Sequence, residues 1–166
     1  MQNSKPSVRR IALLALLTAM AVLVGYIESL IPLNFGIPGI KPGLCNIVIL
    51  IALLLFSWKE ALLVSCARVL IIGFLFGNLF SIAYGIAGTC LSILIMTLLL
   101  KAGRNGIAGI SAAGGTAHNM GQLVIAKVVL PAFPAAEYAP ILIISGVVTG
   151  VVVGILVYEI YRRLRV

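Results

Sequence analysis

Residues 44–76 read LCNIVILIALLLFSWKEALLVSCARVLIIGFLF: two apolar runs divided by the short polar stretch 57–60. Long apolar runs joined by a tight turn are typical of antiparallel helices in a membrane. The same alternation continues in both directions along the chain. The predicted spans cover residues 11–31, 44–56, 61–76, 79–100, 107–130 and 139–160. The sequence therefore predicts an all-α polytopic membrane protein, a single integral membrane domain over residues 1–166 with six transmembrane helices.

Basic residues lie in alternate gaps between these spans. Lys59 marks one gap, the pair Lys101 and Arg104 marks another, and further Lys and Arg residues cluster at both ends of the chain. Because Lys and Arg collect on the cytoplasmic side of membrane proteins, this pattern predicts a plasma-membrane protein with both termini in the cytoplasm. The first apolar run has no convincing cleavage site, so we expect a retained span and not a signal peptide.

The composition excludes several classes of protein. The chain is 62% hydrophobic and 10% charged, whereas soluble domains have about 45–50% apolar and about 25% charged residues. The net charge of +8 comes from the flanks of spans and not from a basic patch with interleaved aromatic residues, so no nucleic-acid partner is expected. The three cysteines form no CxxC pair and are predicted to be small buried hydrophobes.

The second predicted span is too short to cross the membrane alone. Its residues, 44–56, would reach about 20 Å as a helix, against a hydrocarbon core of about 30 Å. The preceding loop, 32–43, is rich in Gly and Pro. Either the ends of the span are buried in protein, or part of this loop dips into the membrane, where irregular backbone is tolerated only against protein or a cavity.

Two charged residues inside spans need partners. Arg68 lies mid-depth in the third span, and Glu28 lies near the outer end of the first. A charge at the bilayer centre costs about 2.5–3.5 kcal/mol on insertion scales, and an arginine cannot easily lose its proton. Glu28 is the candidate partner of Arg68. The pair is either a structural ion pair or part of a cationic site for an anionic or strongly polar ligand.

The fifth span carries three hydrogen-bonding side chains near its middle. His118 and Gln122 share one helix face, with Asn119 on its flank, and Asn46 opens the second span. Such groups are costly at membrane depth unless they meet each other or a ligand. Ligand binding, helix–helix hydrogen bonding and proton relay are all open. Lys127 points away from this face, and a chain with one histidine is not expected to bind a metal.

Stripes of small residues mark faces on which helices approach closely. The last span has Gly146, Gly150 and Gly154, which serve either an internal contact or a dimer. The first span has Ala15 and Ala19 one turn apart, which serve either internal packing or the docking of a partner subunit.

Catalysis by the chain alone is not expected. It contains no Asp, and its four Glu residues are scattered, whereas Mg²⁺-dependent diphosphate chemistry needs clustered carboxylates. No GxxxxGK[ST] stretch for ATP hydrolysis and no Ser-His-acid set is apparent. We therefore predict neither enzymatic activity nor a cofactor.

Four stretches together resemble one membrane-protein family. They are GIKPGLCN at 39–46, RVL at 68–70, FS at 80–81 and HNMGQ at 118–122. The chain resembles the Gx transporter family, also labelled heptaprenyl diphosphate synthase component I, which is similar to the substrate-binding (S) components of energy-coupling-factor transporters. The resemblance covers essentially the whole chain.

The resemblance implies a six-helix S-component-like bundle that binds a vitamin-like small molecule near the outer face. It also implies docking on a transmembrane coupling subunit driven by two ATPases, for which Ala15 and Ala19 match the expected spacing. Asn46, Arg68, His118, Asn119 and Gln122, with Glu28 beside Arg68, would then line an outward-facing pocket. The loop 32–43 would cap this pocket, and Lys41 would meet an anionic group of the ligand.

Members of the family also resemble a membrane component associated with flavin-linked extracellular electron transfer and demethylmenaquinone synthesis. This favours a second hypothesis, a non-catalytic membrane subunit of a redox or prenyl-lipid pathway. Under it, the same polar residues contact a head group or a partner subunit, and no substrate crosses the membrane.

Overall fold

Six helices make up the protein in a computed structural model that describes residues 7–30, 43–103 and 105–164. No strand occurs in these ranges. The helices are α1 (Val8–Leu30), α2 (Cys45–Leu55), α3 (Trp58–Phe76), α4 (Leu79–Ala102), α5 (Ile107–Val129) and α6 (Ala135–Leu164). They follow the six predicted segments in order, so the prediction of an all-helical fold is confirmed.

Three of the six helices, α1, α4 and α6, are long and apolar enough to cross a membrane. They identify the chain as a membrane protein. Helices α3 and α5, with 19 and 23 residues, have comparable lengths but carry the polar side chains of Arg68, His118, Asn119 and Gln122. That all six helices cross the bilayer stays a prediction.

The outside of the helix bundle is apolar. Phe74 on α3, Leu79 on α4 and Val128 on α5 are all exposed, and large exposed hydrophobic side chains occur on every helix. Exposure of such a surface to water is unfavourable, whereas contact with lipid chains is not. Cys45 is buried as predicted and Cys66 is half-buried, but the prediction was wrong for Cys90, whose side chain lies exposed on this outer surface.

Helix α2 is enclosed by the rest of the bundle and packs against α1, α3, α5 and α6. It is 11 residues long, which corresponds to about 16 Å. The buried residues of α2 are Cys45, Val48, Ile49, Leu50, Ile51, Ala52 and Leu53. Protein therefore covers the N-terminal end of α2, whereas Leu55 at its C-terminal end is exposed. The loop residues 31–42, on which the other interpretation of the short span depends, lie outside the described ranges.

Two tight turns join α2, α3 and α4. Ser57 is the N-cap of α3, and its hydroxyl accepts a hydrogen bond from the Lys59 amide at 3.4 Å. Asn78 caps α4 through its carboxamide oxygen, 2.8 Å from the Ser81 amide. Both caps supply acceptors for helix N-termini. Residues 58–60, predicted as part of the turn, instead form the first turn of α3 because Ser57 starts the helix earlier.

The glycine stripe of α6 packs inside the bundle, against α5. A Cβ atom added at Gly150 would lie 2.6 Å from Ala112 Cα, and one at Gly146 would lie 2.7 Å from Thr116 Cα. The two backbones therefore meet with no room for side chains between them. Of the alternatives left open by the sequence, the structure shows the internal contact.

The alanine stripe of α1 remains uncovered. Ala15 and Ala19 are exposed, because α1 packs on α2 and α3 through other faces. Internal packing, one of the two interpretations of this stripe, is therefore wrong. Docking of a partner on this face stays a prediction.

Candidate functional site

A cavity of about 530 Å³ lies in one half of the bundle. Its walls come from the C-terminal ends of α1 and α3, the N-terminal half of α4 and the C-terminal half of α5, and the first turn of α2 forms part of the lining. The volume is in the range of about 300–1,000 Å³ that is usual for small-molecule sites.

Most of the side chains predicted to form a site line this one cavity. The structure brings together Glu28, Asn46, Arg68, His118, Asn119 and Gln122. Lys41 lies outside the described residues. These six residues come from four different helices, so their convergence depends on the packing of the bundle and not on local sequence.

The shortness of α2 explains how the cavity forms. This helix begins only at Cys45, while its neighbours α1, α3 and α5 extend beyond that level. Gly43, just before α2, has a φ of +68°, a left-handed conformation that glycine adopts without the strain of a Cβ atom. Asn46, in the first turn, thereby reaches the lining of the cavity.

Glu28 is buried and stabilises the start of α2. Its side chain is 6% exposed, and its carboxylate accepts a hydrogen bond from the Leu44 amide. A carboxylate at this position satisfies an amide that has no partner within the helix and complements the positive end of the helix dipole.

The expected ion pair between Glu28 and Arg68 does not form. In the described ranges, the ion pairs are Arg10–Glu60 and Arg162–Glu159. The prediction of a Glu28–Arg68 bridge is wrong because the carboxylate is used by the α2 N-terminus, although both residues line the same cavity.

Arg68 presents a hydrogen-bond donor with no acceptor. Its Nε atom is buried and has no hydrogen-bond partner among the residues that the structure describes. Its stem lies close to α1: a Cβ atom at Gly25 would be 3.6 Å from Arg68 Cδ and 2.4 Å from Ile72 Cδ1. Gly25 therefore permits the approach of α1 that encloses Arg68.

Two glycines position the His118 face of α5 against α4. A Cβ atom at Gly88 would lie 2.9 Å from Gln122 Cγ and 3.0 Å from His118 Cε1. One at Gly121 would lie 2.7 Å from the Ala87 carbonyl oxygen. Close packing of the two helices thus restricts the side chains of His118 and Gln122, and Gln122 is buried at 6% exposure.

Asn119 has a structural role in addition to lining the cavity. Its side-chain nitrogen donates a hydrogen bond of 2.8 Å to the Leu142 carbonyl oxygen of α6. This is the helix–helix bond that the sequence left as one of three alternatives. Lys127, predicted to point away from the His118 face, does not belong to the described lining and donates to the carbonyl oxygens of Pro131 and Phe133 in the α5–α6 turn.

Sequence reasoning missed the aromatic part of the lining. Phe76, Phe80, Tyr84 and Phe133 all contribute to the cavity, and the Phe80 and Tyr84 rings have centroids 5.6 Å apart. In the sequence, Phe80 is marked only by the family resemblance. The spacing of Phe80 and Tyr84, one turn apart on α4, is the signal that could have revealed that the two rings share a face.

The described lining has one side chain of each charged type and no cluster that could bind a metal ion. No group of three His, Cys, Asp or Glu side chains that could hold a metal ion occurs within residues 7–30, 43–103 and 105–164. The lining thus combines one carboxylate, one guanidinium and one imidazole with carboxamides and aromatic rings.

Comparison with known proteins identifies the family. The profile of heptaprenyl diphosphate synthase component I matches residues 17–160. This chain belongs to that family. The match includes every residue that lines the cavity. No curated protein and no solved structure matches the chain.

The family description names a component of a synthase and not a complete enzyme. The resemblance drawn from the four sequence stretches is thereby confirmed at the level of the family. The family assignment identifies neither a ligand nor a partner of this chain.

Proposed function

We propose that this chain is the membrane substrate-binding component of an energy-coupling-factor-type transporter and that it binds a polar or anionic, vitamin-like compound. The observation that carries the proposal is the cavity of about 530 Å³ that brings Asn46, Arg68, His118 and Gln122 together inside an otherwise apolar bundle. Polar groups at membrane depth are costly, and a polar ligand would offset that cost.

The distribution of charge supports an outward-facing cavity. The basic residues Arg9, Lys59 and Lys101 lie at the N-terminal end of α1, the N-terminal end of α3 and the C-terminal end of α4. In an alternating bundle these ends share one side, and the cavity lies at the other. The positive-inside rule would assign the basic side, with both termini, to the cytoplasm, which leaves the cavity open toward the outside.

The exposed stripe of α1 supports a partner for energy coupling. The sequence contains no P-loop, so a transporter of this kind needs ATPases on separate chains. Ala15 and Ala19 present small side chains on an uncovered helix face, which permits close approach of another transmembrane helix. We propose that a coupling subunit, joined to two ATPases, docks there.

The family description favours a second candidate function. It names a component of a prenyl diphosphate synthase, which fits a non-catalytic membrane subunit associated with prenyl diphosphate or menaquinone synthesis, or with flavin-linked extracellular electron transfer. In that role the cavity would hold a head group. A catalytic role is disfavoured because Glu28 is the one carboxylate in the described lining and already binds the α2 N-terminus.

Affinity purification in mild detergent from the native host, followed by mass spectrometry of the co-purified proteins, tests the proposal. We expect a coupling subunit and ATPases with the wild-type chain and their loss with Ala15→Trp. Ala83→Trp, the same change at an exposed alanine of α4, is the matched control and should retain them. Recovery of flavin- or prenyl-handling proteins without ATPases would instead support the second candidate.

A further inference from the structure

The unsatisfied donor of Arg68 indicates which group of a ligand it would bind. A guanidinium offers five N–H donors in a fixed plane, and the edge formed by Nε and one Nη matches the two oxygens of a carboxylate. At Arg68 the buried Nε on that edge has no partner in the described structure. The nearest predicted acid, Glu28, binds the Leu44 amide instead. The unpartnered Nε donor therefore suits an oxyanion supplied by the ligand.

The charge of the lining limits the charge of that ligand. Arg68 is the one cationic side chain among the described lining residues. A diphosphate would bring several negative charges into a low-dielectric site, where each needs its own cation or hydrogen-bond donors. Glu28 adds a negative charge to the same lining and is held by the α2 N-terminus, so a ligand with a single negative charge, placed on the guanidinium, fits this lining best.

The aromatic part of the lining suits a flat ring. Phe80 and Tyr84 present adjoining rings on α4, and Phe76 adds another ring from α3. In the described residues, the cation–π contacts involve Arg10 and Lys59 at the other end of the bundle, so Arg68 does not occupy these rings. Aromatic faces favour stacked or edge-to-face contact with a planar ligand.

We propose that the cavity binds a planar aromatic monocarboxylate, with the carboxylate on the Nε edge of Arg68 and the ring against Phe80 and Tyr84. This names the class of ligand for the substrate-binding component proposed above and rests on that function. The cavity volume of about 530 Å³ accommodates one or two fused rings.

Binding to the purified full-length chain in detergent tests the proposal. The probes are benzoate and naphthalene-2-carboxylate, their uncharged amides, the saturated acid cyclohexanecarboxylate, and isopentenyl diphosphate. We expect at least one aromatic acid to bind at least about tenfold more tightly than its amide, because a charged hydrogen-bonded pair is lost in the amide. Benzoate should also bind more tightly than cyclohexanecarboxylate.

Variants separate binding from folding. Arg68→Met should weaken binding of the aromatic acid by about 10- to 100-fold. Arg68→Lys, which keeps the charge but not the planar edge, should weaken binding by less. Lys101→Met removes a charge at the far end of α4 and should leave binding unchanged. Tyr84→Leu should reduce the preference for benzoate over cyclohexanecarboxylate, a readout that general loss of folding would not produce.

Three results would overturn the proposal: equal binding of every acid and its amide, unchanged acid binding in a folded Arg68→Met protein, or binding of isopentenyl diphosphate but of neither aromatic acid. Failure of this proposal can be told apart from failure of the transporter assignment. Co-purified ATPases without acid binding would refute only the ligand class, and acid binding without ATPases would refute only the transporter.

Discussion

Replacement of Gly150 by alanine tests how α5 and α6 pack. The added Cβ would lie 2.6 Å from Ala112 Cα and from the Ser111 carbonyl oxygen, which is about 0.8 Å inside the closest ordinary van der Waals contact. Both neighbouring atoms belong to the backbone, so neither can rotate away. The two helices must separate, and contacts at Gly146 and Gly154 along the same seam are weakened as well.

Gly109→Ala is the matched control. Gly109 lies on α5 in an exposed position, and a Cβ atom there would have no heavy atom within 4 Å. In a helix, Gly→Ala by itself is favourable by up to about 1 kcal/mol. Overpacking costs about 1–3 kcal/mol. We therefore expect Gly150→Ala to lower the free energy of unfolding by about 1–3 kcal/mol and Gly109→Ala to leave it unchanged or raise it.

Reversible unfolding in mixed micelles, followed by far-UV circular dichroism, measures these free energies, and cross-linking in the membrane reports the oligomeric state. A Gly150→Ala protein as stable as the Gly109→Ala protein would refute the close α5–α6 contact. A change in oligomeric state without a change in monomer stability would assign the stripe to a dimer interface, against the packing described above.

Three further predictions concern single side chains. Glu28→Leu should destabilise the fold by about 1–3 kcal/mol in the same unfolding assay, because it leaves the part-buried Leu44 amide at the start of α2 without an acceptor, whereas Glu28→Gln should cost less; equal effects would argue against capping. Asn119→Ala should cost about 0.5–2 kcal/mol through loss of its bond to α6, and an unchanged unfolding curve would contradict that bond. Hydrogen bonds from Ser57, and then Arg10, lower the pKa of Glu60 below its ordinary value of 4.5. The ionised Glu60 side chain should therefore contribute less than about 1 kcal/mol to folding stability, present above pH 4.5 and lost as the pH falls through the lowered pKa. The difference in melting temperature between wild type and Glu60→Gln should accordingly shrink in acid.

Much of the helical architecture follows from local properties of the sequence. Apolar run length, turn-forming residues and charge are read one segment at a time, and α4 and α5 begin at the predicted positions. The polar residues that line the cavity also stand out locally, because each interrupts an apolar run. Ser57 shows the limit of this reasoning: a capping hydroxyl moved the start of α3 to Trp58, ahead of the first apolar residue of the run.

The choice of partner for each polar side chain was decided only by the tertiary structure. Charge alone paired Glu28 with Arg68, but packing brought the α2 N-terminus to Glu28 and left the Nε atom of Arg68 without an acceptor. The contact made by the aromatic wall was also decided there, since the spacing of Phe80 and Tyr84 indicates that the two rings share a helix face but not what that face lines. A hydrogen bond between two helices forms only if their separation is correct to within a few tenths of an ångström. Close contacts between helices far apart in sequence, such as the one at Gly25, set that separation.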